Sequence, residues 1–184
     1  MNRNKIILER ENTALLIIDI QEKILKAMLN HEDLLENVIK LVKGVKVLEI
    51  PTYFTEQYPK GLGNTVKEIK DELNGEAIQK MSFSCFGADN LFEKLKMGKI
   101  SQVIVSGIET LVCVQQTVLD LLSNGFQVNV LADAVASRKQ IDKEIALSRM
   151  EKHGAEITTH EVVLFELLGI CGTHEFKEIS KIIK

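Results

Sequence analysis

Three side chains of types used in acid–base and nucleophilic chemistry follow separate apolar runs of this 184-residue sequence. They are Asp19, Lys80 and Cys113. The runs that precede them are Ala14–Ile18, Ala77–Ile78 and Gln102–Val105. A carboxylate can act as a general base, an ammonium group can stabilise a developing anion, and a thiol can attack a carbonyl carbon. If the fold brings these residues together, the sequence predicts nucleophilic acyl chemistry.

Each of these residues also has a purely structural interpretation. Asp19 is placed to cap a helix that begins at Glu22, and an isolated lysine such as Lys80 is typically solvated. Cys113 can be a small packing residue, but it also falls in the first turn of a predicted helix. Free amides and the helix dipole lower thiol pKa values to about 3.5–7.5 at such positions. On the functional interpretation, we expect an ionised thiolate at position 113.

The other two cysteines lie in weaker settings. Cys85 is near Lys80 in the sequence, but it belongs to a loop-like stretch, SFSCFG. Cys171 lies in the turn Gly-Ile-Cys-Gly, with no strand end or helix start to activate it. We therefore expect iodoacetamide to alkylate Cys113 faster than Cys171. Three widely spaced cysteines without a CxxC pair also argue against a disulfide framework or a zinc ribbon.

Six apolar runs are predicted to form the strands that position these residues. Continuous rather than alternating apolar runs are typical of strands that are covered on both faces. The predicted strands are Ala14–Ile18, Pro51–Phe54, Ala77–Ile78, Gln102–Val105, Phe126–Leu131 and Ala155–Thr158. Apolar residues at spacings of three and four predict helices between them. These helices are Asp33–Leu48, Ala88–Met97, Leu111–Ser123, Ile141–Lys152, Glu161–Leu168 and Glu175–Ile183.

The alternation of strands and helices predicts a three-layer, doubly wound α/β fold. We expect a mostly parallel six-stranded sheet in the order 3-2-1-4-5-6, within a single domain that spans residues 1–184. Ligands bind beyond the carboxyl ends of the strands in such folds. In this order the strands before Asp19 and Cys113 are neighbours, whereas the strand before Lys80 lies two strands from that of Asp19. Because strands lie about 4.8 Å apart, Lys80 must reach across roughly 10 Å.

Composition restricts the partners and the location. Apolar residues make up 45% and charged residues 27%, and 23 Lys+Arg against 26 Asp+Glu give a net charge of −3. This balance lacks the basic excess of a nucleic-acid-binding surface. No apolar run approaches the roughly 18 residues of a membrane span, and Met1–Arg10 lacks the apolar stretch of a signal peptide. We therefore expect a cytoplasmic protein with a small-molecule substrate and with neither nucleic acid nor membrane as a partner.

Three longer segments carry a resemblance to a known family. They are LLIIDIQEKI, QKMSFSCFGA and VIVSGIETLVCVQQTVLDLLSNGFQVNVLADAVASR. Over nearly its whole length the chain resembles the isochorismatase-like cysteine hydrolase superfamily, and TEQYPKGLGNTV resembles its isochorismatase-domain-containing branch. The resemblance implies a catalytic triad of Asp19, Lys80 and Cys113. It also implies a non-proline cis peptide bond between Ile108 and Glu109, with the amides of Glu109 and Cys113 as oxyanion donors.

The activity implied by this resemblance is hydrolysis of a small amide or a related C–N acyl substrate through a cysteine thioester. Isochorismatase itself cleaves a vinyl ether and lacks the cysteine, so Cys113 favours the amidohydrolase side of the family. The resemblance also implies a homo-oligomer. The substrate pocket is expected on loops that carry Gln21, Glu56, Gln57, Tyr58 and Phe83. Apolar positions near the C-terminus can serve either a subunit contact or the chain's own core; they are Phe176, Ile179, Ile182 and Ile183.

No metal or other cofactor is expected. Nicotinamidases resemble one another in an Asp-x-His metal site after the second strand, where this chain has Thr-Glu-Gln-Tyr-Pro at 55–59. The four histidines lie elsewhere, and Gly61-Leu62-Gly63 lacks the third glycine of a dinucleotide fingerprint.

Two other functions stay open. One is a non-catalytic binding or scaffold protein on the same fold, and the other is a thiol redox enzyme that pairs Cys113 with Cys85.

Overall fold

In the computed structural model, which describes residues 3–184, six strands form one sheet. The strands are β1 (Thr13–Ile18), β2 (Thr52–Gln57), β3 (Ile78–Lys80), β4 (Gln102–Ile108), β5 (Gln127–Ala136) and β6 (Glu156–Thr158). Their order is β3-β2-β1-β4-β5-β6, and every neighbouring pair runs parallel. The predicted doubly wound α/β fold with the sheet order 3-2-1-4-5-6 is therefore confirmed.

Helices cover both faces of this sheet. In the described part of the chain they are α1 (Glu22–Leu25), α2 (His31–Val47), α3 (Pro59–Leu62), α4 (Lys67–Lys70), α5 (Leu91–Met97), α6 (Gln115–Ser123), α7 (Gln140–Lys152), α8 (His160–Leu168) and α9 (His174–Ile182). Alternate residues of β1 point to opposite faces. Leu15 and Ile17 join an apolar core with α2, α8 and α9, while Leu16 and Ile18 join a second core with α5 and α6. Because both faces are covered, all of β1 is buried, and this explains its continuous apolar run.

Two strands extend further than their apolar runs predicted. β4 continues to Ile108 and β5 to Ala136. The ladder between β4 and β5 shifts register between Val105 and Gly107 and then resumes. Asp133 therefore lies half-buried inside β5, whereas the sequence placed it after the strand.

The helix predicted over Leu111–Ser123 begins differently. Thr110–Val114 forms a π-helical turn, and α6 starts only at Gln115. Cys113 therefore lies in a π-helical turn instead of the first turn of an ordinary α-helix. Such turns are rare and occur often at functional sites.

β1 and β4 approach each other closely at Gly107, near the carboxyl edge of the sheet. The φ angle of Gly107 is 133°, and a Cβ atom built there would lie 2.2 Å from the carbonyl oxygen of Ile18. Any other residue would clash with this carbonyl and would need a disfavoured backbone angle. Glycine at this position therefore allows the segment after β4 to lie beside Asp19, which follows β1.

The C-terminal helix packs on its own chain. Ile179 of α9 is fully buried in the core that α9 shares with α2, and Phe176 and Ile183 pack against the same core. Three of the four apolar positions near the C-terminus therefore pack within the chain. In residues 3–184, no helix has both the length and the apolar character needed to cross a membrane.

Candidate active site

Asp19 and Lys80 meet at the carboxyl edge of the sheet. Asp19 directly follows β1, and Lys80 is the last residue of β3, two strands away. The Nζ atom of Lys80 lies 2.6 Å from Oδ2 of Asp19, and the two side chains are only 0% and 4% exposed. The lysine side chain therefore reaches past β2, as the strand order required. Each of these buried charges is compensated by the other. A paired buried charge costs far less free energy than an isolated one.

The second carboxylate oxygen of Asp19 is held from β2. Thr55 donates its hydroxyl to Oδ1 of Asp19 over 2.7 Å, and the Thr55 carbonyl accepts a 3.2 Å hydrogen bond from the Asp19 amide. Thr55 is buried and lies opposite Ile18 in the β1–β2 ladder. In the sequence, Thr55 belongs to the Thr-Glu-Gln-Tyr-Pro segment, whose pattern predicts no functional role for it. A threonine directly after the predicted second strand was the available signal.

Cys113 lies beside this ion pair. Its Sγ atom is 3.6 Å from Oε1 of Gln57, and the same amide oxygen accepts a 2.9 Å hydrogen bond from Nζ of Lys80. Nε2 of Gln57 donates to the carbonyl of Met81 at 2.9 Å, which fixes the orientation of the amide. Gln57 therefore links the thiol to the lysine. The structure brings Asp19, Lys80 and Cys113 into one cluster.

The thiol of Cys113 is not held ionised, contrary to the expectation from its place before α6. Burial raises the pKa of Cys113 to about 12, the negative charge of Asp19 adds to the increase, and the Lys80 charge offsets only part of it. Desolvation therefore outweighs the stabilisation expected from free helix amides, because the thiol is buried in a π-helical turn. With its pKa raised to about 12, the thiol is neutral near pH 7.

The other two cysteines have contrasting environments. Cys85 is fully buried, its Sγ atom lies 3.8 Å from Oγ1 of Thr55, and burial raises its pKa to about 11. The amide of Cys85 donates to Oγ1 of Thr117, whose hydroxyl donates to the carbonyl of Cys113. Thr117 thus ties the loop after β3 to the turn that carries the clustered thiol, a role that sequence reasoning missed. Cys171 is exposed.

A cis peptide bond joins Ile108 and Glu109, at the position that the family resemblance implied. The carbonyl of Glu109 accepts hydrogen bonds from the amides of Val112 and Val114 at 3.0 and 3.2 Å. The carboxylate of Glu109 pairs with Arg138, with 2.9 Å between Oε2 and Nε. These contacts place the backbone of Glu109 next to the turn that carries the thiol.

Two of the residues expected in a pocket, Gln21 and Glu56, are buried and bind the loop after β2. The Nε2 atom of Gln21 donates to the carbonyls of Gln57 and Gly63 at 3.0 and 2.7 Å. Oε1 of Glu56 accepts hydrogen bonds from both the amide and the hydroxyl of Thr65. These hydrogen bonds of Gln21 and Glu56 stabilise the conformation of the loop.

Tyr58 and Phe83 lie at the surface beside the cluster. Their side chains leave 47% and 55% of their area exposed. The amide of Tyr58 donates to the carbonyl of Lys80, and the carbonyl of Phe83 accepts a 2.9 Å hydrogen bond from Nζ of Lys80. Their backbones therefore border the cluster, whereas Gln57 reaches it with its side chain.

The metal-binding residue types are dispersed. Within residues 3–184, no group of three His, Cys, Asp or Glu side chains is arranged to hold a metal ion. His160, at the start of α8, is engaged with a neighbouring carboxylate, with 2.7 Å between its Nδ1 and Oδ2 of Asp133.

The fold and the site together define a doubly wound α/β protein with an acid, a lysine and a cysteine clustered at the carboxyl edge of a parallel sheet. A family model described as the isochorismatase domain matches residues 13–162. The chain therefore belongs to the isochorismatase domain family, and its fold is that of isochorismatase-family hydrolases.

Similar proteins span nearly the whole chain. Isochorismatase domain-containing protein 2 of Xenopus laevis is 40% identical over 177 residues, which cover 96% of this chain and 85% of the relative. A solved structure described as MAR1 ribonuclease from Caenorhabditis elegans has a TM-score of 0.88 at 37% identity and covers 96% of this chain and 91% of its own. The YcaC gene product from Escherichia coli, described as an octameric hydrolase of unknown specificity, has a TM-score of 0.91 at 24% identity, with 99% and 91% covered. The last likeness establishes the fold alone.

Proposed function

We propose that this chain is a cysteine hydrolase that cleaves a small amide or a related C–N acyl compound through a thioester on Cys113. The observation that carries the proposal is the buried cluster in which Asp19 pairs with Lys80 beside the Cys113 thiol. Membership of the isochorismatase domain family supports hydrolysis as the reaction class. A thiol nucleophile with an adjacent base is the arrangement that acyl transfer to sulfur requires.

In the acylation half-reaction, Asp19 takes the proton of the Cys113 thiol while the sulfur attacks the carbonyl carbon. A C–S bond forms, and the carbonyl electron pair moves onto oxygen. When the tetrahedral intermediate collapses, the C–N bond breaks and Asp19 returns the proton to the leaving nitrogen. The acyl group then remains on Cys113 as a thioester.

In the deacylation half-reaction, Asp19 removes a proton from water while the water oxygen attacks the thioester carbonyl. The C–S bond breaks, the sulfur recovers a proton from Asp19, and the carboxylic acid product leaves. Each half-reaction begins and ends with an ionised Asp19. The cycle therefore starts from a neutral thiol and returns to one. The pKa of Cys113, raised to about 12 by burial, is the reason that the base is needed.

Lys80 acts as a fixed cation in this scheme. Its Nζ atom lies within 2.6–3.2 Å of four oxygens, those of Asp19, Gln57 and the carbonyls of Ser82 and Phe83. Every one of these atoms is an acceptor, so the surroundings suit a protonated ammonium group. Such a cation can stabilise the carboxylate before proton transfer and the charge that develops on the substrate afterwards.

The amides of Glu109 and Cys113 would hold the oxyanion of the tetrahedral intermediate. Both belong to the segment in which a cis peptide bond leads into the π-helical turn. Backbone donors fixed before the reaction stabilise developing charge without a reorganisation cost.

Burial favours a hydrolase over a thiol redox enzyme. Redox-sensing cysteines typically combine a lowered pKa with solvent access. Cys85 and Cys113 are both buried, and burial raises their pKa values to about 11 and about 12. A Cys85–Cys113 disulfide after mild peroxide treatment, detected by mass spectrometry, would nevertheless favour redox chemistry.

RNA is a weaker candidate substrate than an acyl compound. The C. elegans relative is described as a ribonuclease, so RNA cleavage is a property to test here. The net charge of −3 supplies no basic excess for phosphate binding. RNA therefore enters the experiment below as a competing substrate.

We further propose that the protein self-associates. The E. coli YcaC gene product is described as octameric, and it shares this fold. Large apolar side chains are exposed at Met81, Met97 and Ile170, with 71%, 84% and 68% of their area accessible. Sedimentation velocity would test the proposal, and a species at the chain mass of 20.7 kDa across all concentrations would contradict it.

The decisive experiment is a mass-spectrometric search for an acyl adduct. The protein would be mixed with a panel of small amides, carbamoyl compounds and esters, and with RNA. We expect an adduct that maps to Cys113, and loss of turnover in Cys113→Ser and in Asp19→Asn. Cys171→Ser, which changes an exposed thiol, is the matched control and should keep full turnover.

Two results would contradict the proposed function. One is turnover that survives in Cys113→Ser. The other is RNA cleavage without any adduct across the acyl panel. A complete absence of adducts and turnover would favour the non-catalytic binding or scaffold function.

A further inference from the structure

Thr55 joins the base of the proposed mechanism to a buried thiol outside it. Its Oγ1 atom lies 2.7 Å from Oδ1 of Asp19 and 3.8 Å from Sγ of Cys85. A threonine hydroxyl has one proton to donate, and an ionised carboxylate can only accept. The Thr55 proton therefore goes to Asp19, and the Cys85 thiol is left to donate to Thr55. The three groups form one directed chain, from Cys85 through Thr55 to Asp19.

Both carboxylate oxygens of Asp19 are held by hydrogen bonds. Oδ1 is bound to Thr55 from β2, and Oδ2 is bound to Lys80 from β3, at 2.7 and 2.6 Å. Asp19 also adopts a left-handed backbone conformation, with φ of 53°, and its amide donates to the Thr55 carbonyl. A carboxylate held through both oxygens and through its backbone cannot turn away from its neighbours.

We propose that Thr55 is a positioning residue that fixes the carboxylate of Asp19 for proton transfer from Cys113. The inference rests on the proposed function, since it assigns Asp19 the role of base. Thr55 is 1% exposed, so it reaches the reaction only through Asp19. Its hydroxyl stabilises the ionised carboxylate, because hydrogen bonds to charged groups are stronger than neutral ones.

The titratable groups that face Asp19 come from three segments. Lys80 lies on β3, Cys85 on the loop after β3, and Cys113 in the π-helical turn. None of these is removed when Thr55 is changed. If the pH dependence of the Cys113 alkylation rate changes when Thr55 is substituted, the change therefore reports the lost hydroxyl.

The test measures the rate at which iodoacetamide alkylates Cys113, by peptide mass mapping, from acid to mildly alkaline pH. In the wild type, we expect an acid limb in which the rate rises as Asp19 ionises. Thr55→Val removes the hydroxyl and keeps the shape of the side chain, so this limb should move to higher pH. Thr55→Ser keeps the hydroxyl and should restore the wild-type midpoint.

Thr52→Val is the matched control, because Thr52 lies at the other end of β2 and its hydroxyl contacts only a backbone carbonyl. It should leave the midpoint unchanged. If Thr55→Val does not fold, Thr55→Ala removes the same hydroxyl without placing a new methyl group against Cys85, and the same shift is expected.

The outcomes separate this inference from the proposed function. An unshifted limb in the folded Thr55 variants, with the limb lost in Asp19→Asn, would overturn the role of Thr55 and leave the base assignment intact. A limb that persists in Asp19→Asn would remove Asp19 as the base and overturn both. A shift in Thr55→Val that Thr55→Ser reverses would support the inference.

Discussion

Asp19 and Lys80 form a buried ion pair across 61 positions of the sequence, with 2.6 Å between the charged atoms. The pair joins the ends of β1 and β3 across the strand that separates them. It therefore serves the fold and the candidate active site at once. This double role makes its energetic contribution measurable apart from any catalytic activity.

Lys80→Met should destabilise the fold strongly. The substitution leaves the Asp19 charge buried without its partner, and breaking a buried pair in this way typically costs about 3–5 kcal/mol. Urea unfolding would measure the change. Lys67→Met breaks an exposed ion pair with Asp71 and is the control, for which no measurable loss is expected. A stability equal to that of the wild type in Lys80→Met would contradict the buried pair.

Iodoacetamide should alkylate Cys171 before Cys113 at pH 7, in reverse of the order expected from the sequence. Cys171 is exposed, whereas Cys113 is buried and its pKa is raised to about 12. Peptide mapping over a time course would give both rates. In concentrated urea the difference should nearly vanish, because unfolding removes the burial. A folded protein in which Cys113 reacts first would contradict the protection of this thiol by burial.

The folded state should lose stability as the pH rises from about 9 towards 12. Burial raises the pKa values of Cys85 and Cys113 from 9.0 to about 11 and about 12, so the unfolded chain releases these thiol protons first. Between these values the unfolded state binds fewer protons than the folded state, and alkali therefore favours unfolding. Below pH 9 both states hold the protons and this contribution is fully present.

Replacement of the buried thiols should make this alkaline loss less steep. Denaturant unfolding of the double variant Cys85→Ala/Cys113→Ser, measured at several alkaline pH values, would give the comparison. Cys171→Ser should keep the wild-type slope, since Cys171 is exposed. Identical slopes in all three proteins would contradict the raised thiol pKa values.

The free energy of unfolding of Gly107→Ala should be lower than that of the wild type by more than about 2 kcal/mol. The new Cβ atom would lie 2.2 Å from the Ile18 carbonyl oxygen, at a backbone φ of 133° that alanine disfavours. Thermal or urea unfolding would measure the loss. Gly98→Ala is the control, because φ there is −73° and the nearest atom would be 3.3 Å from the Cβ atom. Similar losses in the two variants would show that β1 and β4 can move apart.

Local patterns in the sequence were sufficient to predict the architecture. Apolar runs and helical spacing depend on neighbouring residues, and with the right-handed crossover rule they predict a doubly wound fold, whose usual strand order is the one found. The same reasoning placed Asp19, Lys80 and Cys113 at one edge of the sheet. The strand ends were less predictable, because β4 and β5 continue through a register shift that depends on pairing between distant segments.

How the residues at that edge interact depends on contacts that form when the chain packs. Gln57 was expected to line a pocket, yet its amide contacts both Lys80 and the Cys113 thiol. The sequence pattern predicts no functional role for Thr55, yet its hydroxyl binds the carboxylate of Asp19. These contacts join residues far apart in the chain, and no periodicity records which hydrogen-bond partner a buried polar group will find.

For the ionisation of the Cys113 thiol, the sequence and the packed structure point in opposite directions. The position of Cys113 before a predicted helix was visible in the sequence and favoured a lowered pKa. Its burial in a π-helical turn, beside the negative charge of Asp19, was not visible, and it reverses the direction of the shift. The sequence determined which groups meet, whereas the packed structure determined their solvation, because desolvation depends on every atom that surrounds a group and not on its neighbours along the chain.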